Sequence, residues 1–135
     1  ALLGNVLHFQ QGHGQQCDET LLFNDKNQLT EASSSNVFVV KDGNVSTPVL
    51  DSQILPGITR NMVIDILKKH SDIEINERVI NMQEVMDADE VWLTSSSKEI
   101  APVIEIDGKS VGTGEIGNVW REAQNYYTCH KFDIA

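Results

Sequence analysis

The chain has 135 residues, 20 acidic and 10 basic, giving a formal net charge of −10. That balance argues against nucleic acid or an anionic membrane as the main partner, since either needs clustered positive charge. With 40% hydrophobic and 22% charged residues, and no run of about 18 apolar residues, it reads as one globular domain over residues 1–135 with no membrane span.

The first segment, residues 2–15, carries Leu2, Leu3, Val6, Leu7 and Phe9 at mixed helical spacing and reads as a helix ending near Gly12 and Gly14. It has no basic flank and no small-residue cleavage site, so it does not read as a signal peptide. Thr20–Phe23, the turn Asn24-Asp25-Lys26-Asn27 and a return strand over Gln28–Glu31 make a hairpin. After Ser33-Ser34-Ser35, Val37–Val40 reads as a buried strand stopped by Asp42-Gly43, and Val45–Leu50 as the next.

Leu55-Pro56-Gly57 leads into the clearest helix, with Met62, Val63, Ile66 and Leu67 at helical spacing and Lys68, Lys69 and His70 at its end. Ile73–Ile80 alternates as a half-buried strand, Met82–Met86 is a short helix, and Glu90–Leu93 is a strand. A polar loop, Thr94–Glu99, precedes Ile100–Ile106 and Lys109–Val111, which flank the hairpin turn Asp107-Gly108. Gly117–Tyr127 closes the series as a helix. Strands and helices mix without regular βαβ alternation. The expected fold is therefore α+β, with a curved or barrel-like mixed sheet and flanking helices.

Three polar segments stand where ligands tend to be held. Thr30-Glu31-Ala32-Ser33-Ser34-Ser35-Asn36 precedes a strongly apolar strand, and it is either a serine-rich turn or a fixed carboxylate beside short donors. Gly57-Ile58-Thr59 opens a helix, so it is either a plain N-cap or a phosphate seat built on unsatisfied N–H groups. Thr94-Ser95-Ser96-Ser97-Lys98-Glu99 follows a strand and is either a solvated loop or a second set of anion donors. Arg60 either braces such a site or joins a surface salt bridge. Trp92 and Trp120 read as core or domain-interface residues. His8, His13, His70 and His130 share no ligand spacing, so no metal site is expected. Cys17 and Cys129, far apart and without CxxC spacing, suit reduced thiols in the cytoplasm.

Taken together and in order, LTEASSSNVFVVKDG, ILPGITRNMVIDIL and ADEVWLTSSSKEIAPVIEIDGKSVGTGEIG resemble consecutive motifs of the class IV aminotransferases, over about Leu2 to Arg121. The resemblance implies pyridoxal 5'-phosphate (PLP) as cofactor and the C-terminal, cofactor-binding half of a fold-type IV enzyme. It places Glu31 beside the pyridine nitrogen, as a catalytic and cofactor-binding carboxylate. A carboxylate there keeps that nitrogen protonated, so the ring can draw electrons from the substrate. Ser34 and Ser35 would contact the cofactor, Ile58 and Thr59 would hold its phosphate at the helix start, and Ser96 would add a hydroxyl. Ser97 and Lys98 would face the substrate carboxylate. Ala32 departs from the family, which commonly has glycine after the glutamate.

In this family the lysine that forms the Schiff base lies a few residues before the segment matching ALLGNVL. The resemblance thus implies that this lysine and an N-terminal domain lie outside the 135 residues, and that the fragment alone is inactive. The seven lysines present, Lys26, Lys41, Lys68, Lys69, Lys98, Lys109 and Lys131, do not match its position. The loop LTSSSKEIAPV looks closest to D-amino acid aminotransferases, which exchange an amino group between an amino acid and a 2-oxo acid. Aminodeoxychorismate lyase and branched-chain aminotransferase are the alternatives within the family. A non-catalytic assembly module is the alternative outside it. A homodimer is expected, with apolar surface left exposed around Leu2–Phe9 and the Trp92 strand.

Overall fold

A computed structural model describes residues 3–11, 15–32, 35–49 and 57–132, with side chains described from Thr20 onward in those ranges. The elements are β1 (Leu3–Gln11), β2 (Gln15–Phe23), β3 (Leu29–Ala32), β4 (Asn36–Lys41), β5 (Asn44–Thr47), α1 (Ile58–His70), β6 (Ile75–Glu77), α2 (Met82–Met86), β7 (Glu90–Ser95), β8 (Glu99–Ile106), β9 (Lys109–Ser110) and α3 (Asn118–His130).

The helix expected over residues 2–15 is instead a strand. β1 pairs antiparallel with β2 from Leu3↔Phe23 to Gln11↔Gln15, and on its other side with β8 through Leu7↔Ile106 and His8↔Glu105. Apolar residues one to four apart fit either period over so short a span, and the distant β8 supplies the partner that decides it. β6 is shorter than the alternation of Ile73–Ile80 suggests, because only Ile75–Glu77 pair with β5, in parallel. The remaining differences are shifts at the ends of elements.

All strands join one mixed sheet in the order β3-β2-β1-β8-β7-β4-β5-β6, with β9 on β8. The sheet does not close into a barrel, since β3 and β6 end the path. A single bridge, Ala32↔Ser35, brings the end of β3 against the chain entering β4. Two Asp-Gly turns have both residues at positive φ, 52° and 80° at Asp42-Gly43 and 51° and 79° at Asp107-Gly108. That geometry matches strand twist in two-residue hairpins.

Alternation along the strands divides the core between two faces. Val37, Val39, Val91, Leu93, Ala101 and Val103 join Leu21, Phe23 and Leu29 in one cluster, closed by Val85 of α2. Phe38, Val40, Trp92 and Ile100 face the other way, against Val63, Ile66 and Leu67 of α1 and Ala123 and Tyr127 of α3. Trp92 is fully buried there, so its strand does not form the exposed apolar surface expected from sequence. The side chains of Leu2–Phe9 lie outside the described residues.

Local signals hold the helices. In α2, Asn81 Oδ1 accepts from the Glu84 backbone N–H and Glu84 Oε2 accepts from that of Asn81, each at 2.9 Å, a reciprocal cap. Burial alone would raise the Glu84 carboxyl, but the Asn81 donor and Arg78 outweigh it and hold its pKa below the usual value. The cap of α3 comes from the sheet. Glu90 accepts from the backbone N–H groups of Val119 at 3.1 Å and Trp120 at 2.8 Å, and from Trp92 Nε1 at 3.1 Å. We expect Glu90→Ala to cost about 1–2 kcal/mol, read as a lower urea midpoint at unchanged slope. Wild-type stability in that variant would refute the assignment. Among the described residues no helix is long and apolar enough to cross a membrane.

Candidate functional site

The three polar segments meet at one end of the sheet. At the β3–β4 corner the Ala32 N–H donates to Ser35 O at 2.8 Å. β4 then opens with Asn36, which lies opposite Thr94 of β7, and Thr94 lies opposite Ile100 of β8. Ser35 and the turn 96–98 therefore sit side by side. The start of α1 closes on the same place, because a Cβ on Gly57 would overlap the Asn36 side-chain oxygen. Glycine is required there for that approach.

Glu31 reaches this end on β3. Its neighbour Ala32 pairs with Leu21 and packs in the first core cluster, so Glu31, paired with Leu22, projects from the other face. It is half-buried. Ser35 is half-buried at the entry to β4, whereas Ser34, with Ser33, lies outside the described residues.

The first turn of α1 has the chemistry of an anion seat. Its N-cap, Gly57, is extended at φ −102° and ψ 130°, no side-chain cap is seen among the described residues, and no acidic residue lies in the first turn. Its leading N–H groups therefore keep their donor capacity and the favourable end of the helix dipole. Ile58 is 77% exposed, so its backbone is the useful group, while Thr59 is buried. Beneath the turn, the buried hydroxyl of Thr94 makes no hydrogen bond among the described residues. A helix start without an acid or a cap, a glycine-made cradle and an orphaned hydroxyl fit a bound phosphate.

The β7–β8 turn adds further donors. Ser96 and Ser97 are exposed and Lys98 is half-buried. Ser95 Oγ accepts from the Lys98 N–H at 3.1 Å and lies 3.4 Å from Ser97 Oγ. Glu99 ends the turn at φ 56°, and Lys131 Nζ binds its carboxylate at 2.8 Å. The pKa of this lysine is raised, chiefly by the hydrogen bond to Glu99. Burial, and then Glu99, also raise the Tyr127 phenol.

Arg60 is a brace and not a surface salt bridge. It is 1% exposed, donating to Pro48 O at 2.9 Å, Glu77 Oε1 at 2.7 Å and Asn61 Oδ1 at 2.8 Å. It thus ties the end of β5 and β6 to the start of α1. Sequence reasoning missed Asn36, Tyr127 and Lys131 at this end. Asn36 sat within a quoted motif, but nothing in its spacing marked it as the residue against Gly57. A further hollow of about 500 Å³ lies at the opposite end of β4, lined by Lys41, Asp42, Asn76, Arg78 and Glu84. Arg78 is paired with Glu84 at 2.7 Å and Lys41 with Asp89 at 3.5 Å, so both of its cations are paired within the fold.

Residues 1–106 match the profile of the family described as Amino-transferase class IV, ending before α3. The chain belongs to the class IV aminotransferase family. A probable branched-chain-amino-acid aminotransferase of Aquifex aeolicus is 44% identical over 110 residues, covering 82% of this chain and 35% of that protein. A D-alanine aminotransferase of Listeria innocua is 39% identical over 126 residues, covering 93% of this chain and 43% of that protein. The solved structure of a putative branched-chain amino acid aminotransferase from Thermotoga maritima superposes with a TM-score of 0.80. It is 36% identical, over 86% of this chain and 42% of that one. Another solved branched-chain amino acid aminotransferase, complexed with N-(5'-phosphopyridoxyl)-L-glutamate, superposes with a TM-score of 0.76 at 33% identity. The chain thus spans about two-fifths of the length of these class IV relatives. Their α+β fold is the one found here. The preference for a D-amino acid enzyme drawn from the loop LTSSSKEIAPV is matched on equal terms by branched-chain relatives.

Proposed function

We propose that this chain is the cofactor-binding half of a PLP-dependent aminotransferase, completed by an N-terminal segment that carries the covalent lysine. The observation that carries the reading is the uncapped, acid-free start of α1 at Gly57–Thr59, facing the serine turn 95–97 across Asn36 and Thr94. When bound, PLP supplies an electron-withdrawing ring that labilises bonds at an amino acid's α-carbon.

In this reading the residues of the chain orient and tune. The N–H groups of Ile58 and Thr59, the Thr59 hydroxyl and Ser96 hold the phosphate. Glu31 keeps a proton on the pyridine nitrogen through its negative charge. Ser34 and Ser35 would lie along the cofactor face. The backbone of Ser97 and Lys98 would receive the substrate carboxylate and so orient the substrate. A lysine from the N-terminal segment would supply the base for proton transfer at the substrate's α-carbon.

For substrates we propose a D-amino acid and a 2-oxo acid, supported by the three hydroxyl residues of the turn and by the 39% identity to the D-alanine relative. A homodimer and a cytoplasmic location belong to the same proposal, the latter in keeping with the exposed free thiol of Cys129. The test is to express the parent protein, record its PLP absorbance, and assay amino transfer from D-alanine and from L-leucine to 2-oxoglutarate. Turnover of D-alanine is expected. Turnover of L-leucine alone would move the substrate to the branched-chain class, and a protein that takes up no PLP would sink the whole reading.

A further inference from the structure

Tyr127 of α3 and Lys131, the residue that ends the helix, lie at the sheet end that holds the polar segments, and the chemistry proposed above uses neither. Tyr127, 6% exposed, packs with Val63 and Leu67 of α1 in the second core cluster, and the Thr59 side chain in the first turn of that helix acts on its phenol to lower the pKa that burial and Glu99 raise. One helical turn later, Lys131 Nζ lies 2.8 Å from Glu99 Oε2. The two residues are four apart, so they project from one side of the helix, with the ammonium 5.9 Å from the Tyr127 ring centroid.

Each contact holds a segment that needs holding. Glu99 adopts φ 56°, a conformation costly for a residue with a Cβ, and it ends the turn that presents Ser96, Ser97 and Lys98. The Lys131 ion pair holds the Glu99 carboxylate at 2.8 Å. Thr59 is buried in the first turn of α1, the helix against which α3 packs in the second core cluster. The helix supplying both contacts is itself fixed. Glu90 caps its first turn, Trp120 Nε1 donates to Ile100 O at 3.0 Å, and Ala123 is fully buried in the second cluster.

We propose that α3 is a brace that sets the spacing between the start of α1 and the β7–β8 turn, with Tyr127 and Lys131 as positioning residues for the phosphate held between them. This rests on the PLP reading above. Neither residue touches the phosphate. Tyr127 acts through Thr59, and Lys131 acts through Glu99. Losing either loosens one side of the seat, and the other side cannot compensate because donors must converge on the same oxygens.

The test uses the apo form of the parent protein as wild type, Tyr127→Phe, Lys131→Met and Lys131→Arg. Each is titrated with PLP and, separately, with inorganic phosphate, at a temperature where circular dichroism shows it folded. Tyr127→Phe and Lys131→Met are expected to weaken binding of both probes roughly three- to tenfold, the scale of one lost hydrogen bond. Lys131→Arg keeps the ion pair and should stay near wild type. Wild-type affinities in Tyr127→Phe and Lys131→Met alike, with only a lowered melting temperature, would make α3 a structural helix and overturn the brace. Should Tyr127→Phe fail to fold, Lys131→Met against Lys131→Arg decides. A wild type that binds phosphate but not PLP would overturn the cofactor reading, and weaker phosphate binding in the variants would still support the brace. A wild type that binds neither overturns both.

Discussion

Replacing Glu31 with glutamine is expected to lower kcat of the parent protein by two to three orders of magnitude while leaving PLP bound. The substitution is nearly isosteric, so β3 and its pairing with Leu22 should survive. What changes is the charge. A carboxylate stabilises a protonated pyridine nitrogen, whereas a neutral amide does not, and the ring then loses much of its pull on the substrate's electrons. Removing one such preorganised electrostatic partner typically costs on the order of 10²- to 10³-fold. Single-turnover kinetics with D-alanine, alongside a PLP titration, separate chemistry from binding. Activity of Glu31→Gln within tenfold of wild type would mean that Glu31 is not the ring-nitrogen partner. In that case the half-buried carboxylate is only part of the β3 surface.

The second large effect is on stability. Arg60→Met should cost about 3 kcal/mol, because it leaves the Pro48 carbonyl and the Glu77 carboxylate without the buried guanidinium they share. Methionine keeps much of the apolar stem, so the loss reports the polar contacts more than the packing. Glu77→Gln is the control. Its side chain is 39% exposed and water can replace what it loses, so its effect should stay within about 1 kcal/mol. Urea denaturation of both variants gives the comparison. Because Arg60 follows Thr59 directly, Arg60→Met should also weaken PLP binding. Equal effects from the two substitutions would show that the ion pair, and not the buried contact with β5, is what matters.

Much of the architecture was legible without coordinates wherever a signal was local. The α1 periodicity, the basic residues in its last turn, the short α2 segment and the two Asp-Gly turns each act within a few residues, and each element formed where those signals lie. β1 was misread for the complementary reason. Its apolar spacing suits two periods, and the choice was made by β2 and by β8, almost a hundred residues away. A mixed sheet with flanking helices was legible, but closure depended on whether β3 and β6 could pair, and they end the sheet instead.

The candidate site divides along the same line. Sequence by itself named the residue types: a carboxylate with small hydroxyls, a glycine at a helix start and a serine turn. Their order carried the family resemblance. Only the tertiary structure decided that these segments share one end of the sheet, through the cross-strand pair Asn36–Thr94 and the contact of Asn36 with Gly57. Only it showed Arg60 buried, Trp92 enclosed, and Tyr127 and Lys131 turned toward that end. The physical reason is range. Turn, cap and helix preferences are fixed by neighbours along the chain, whereas burial and convergence are fixed by strand register, which couples residues that sequence proximity leaves unrelated.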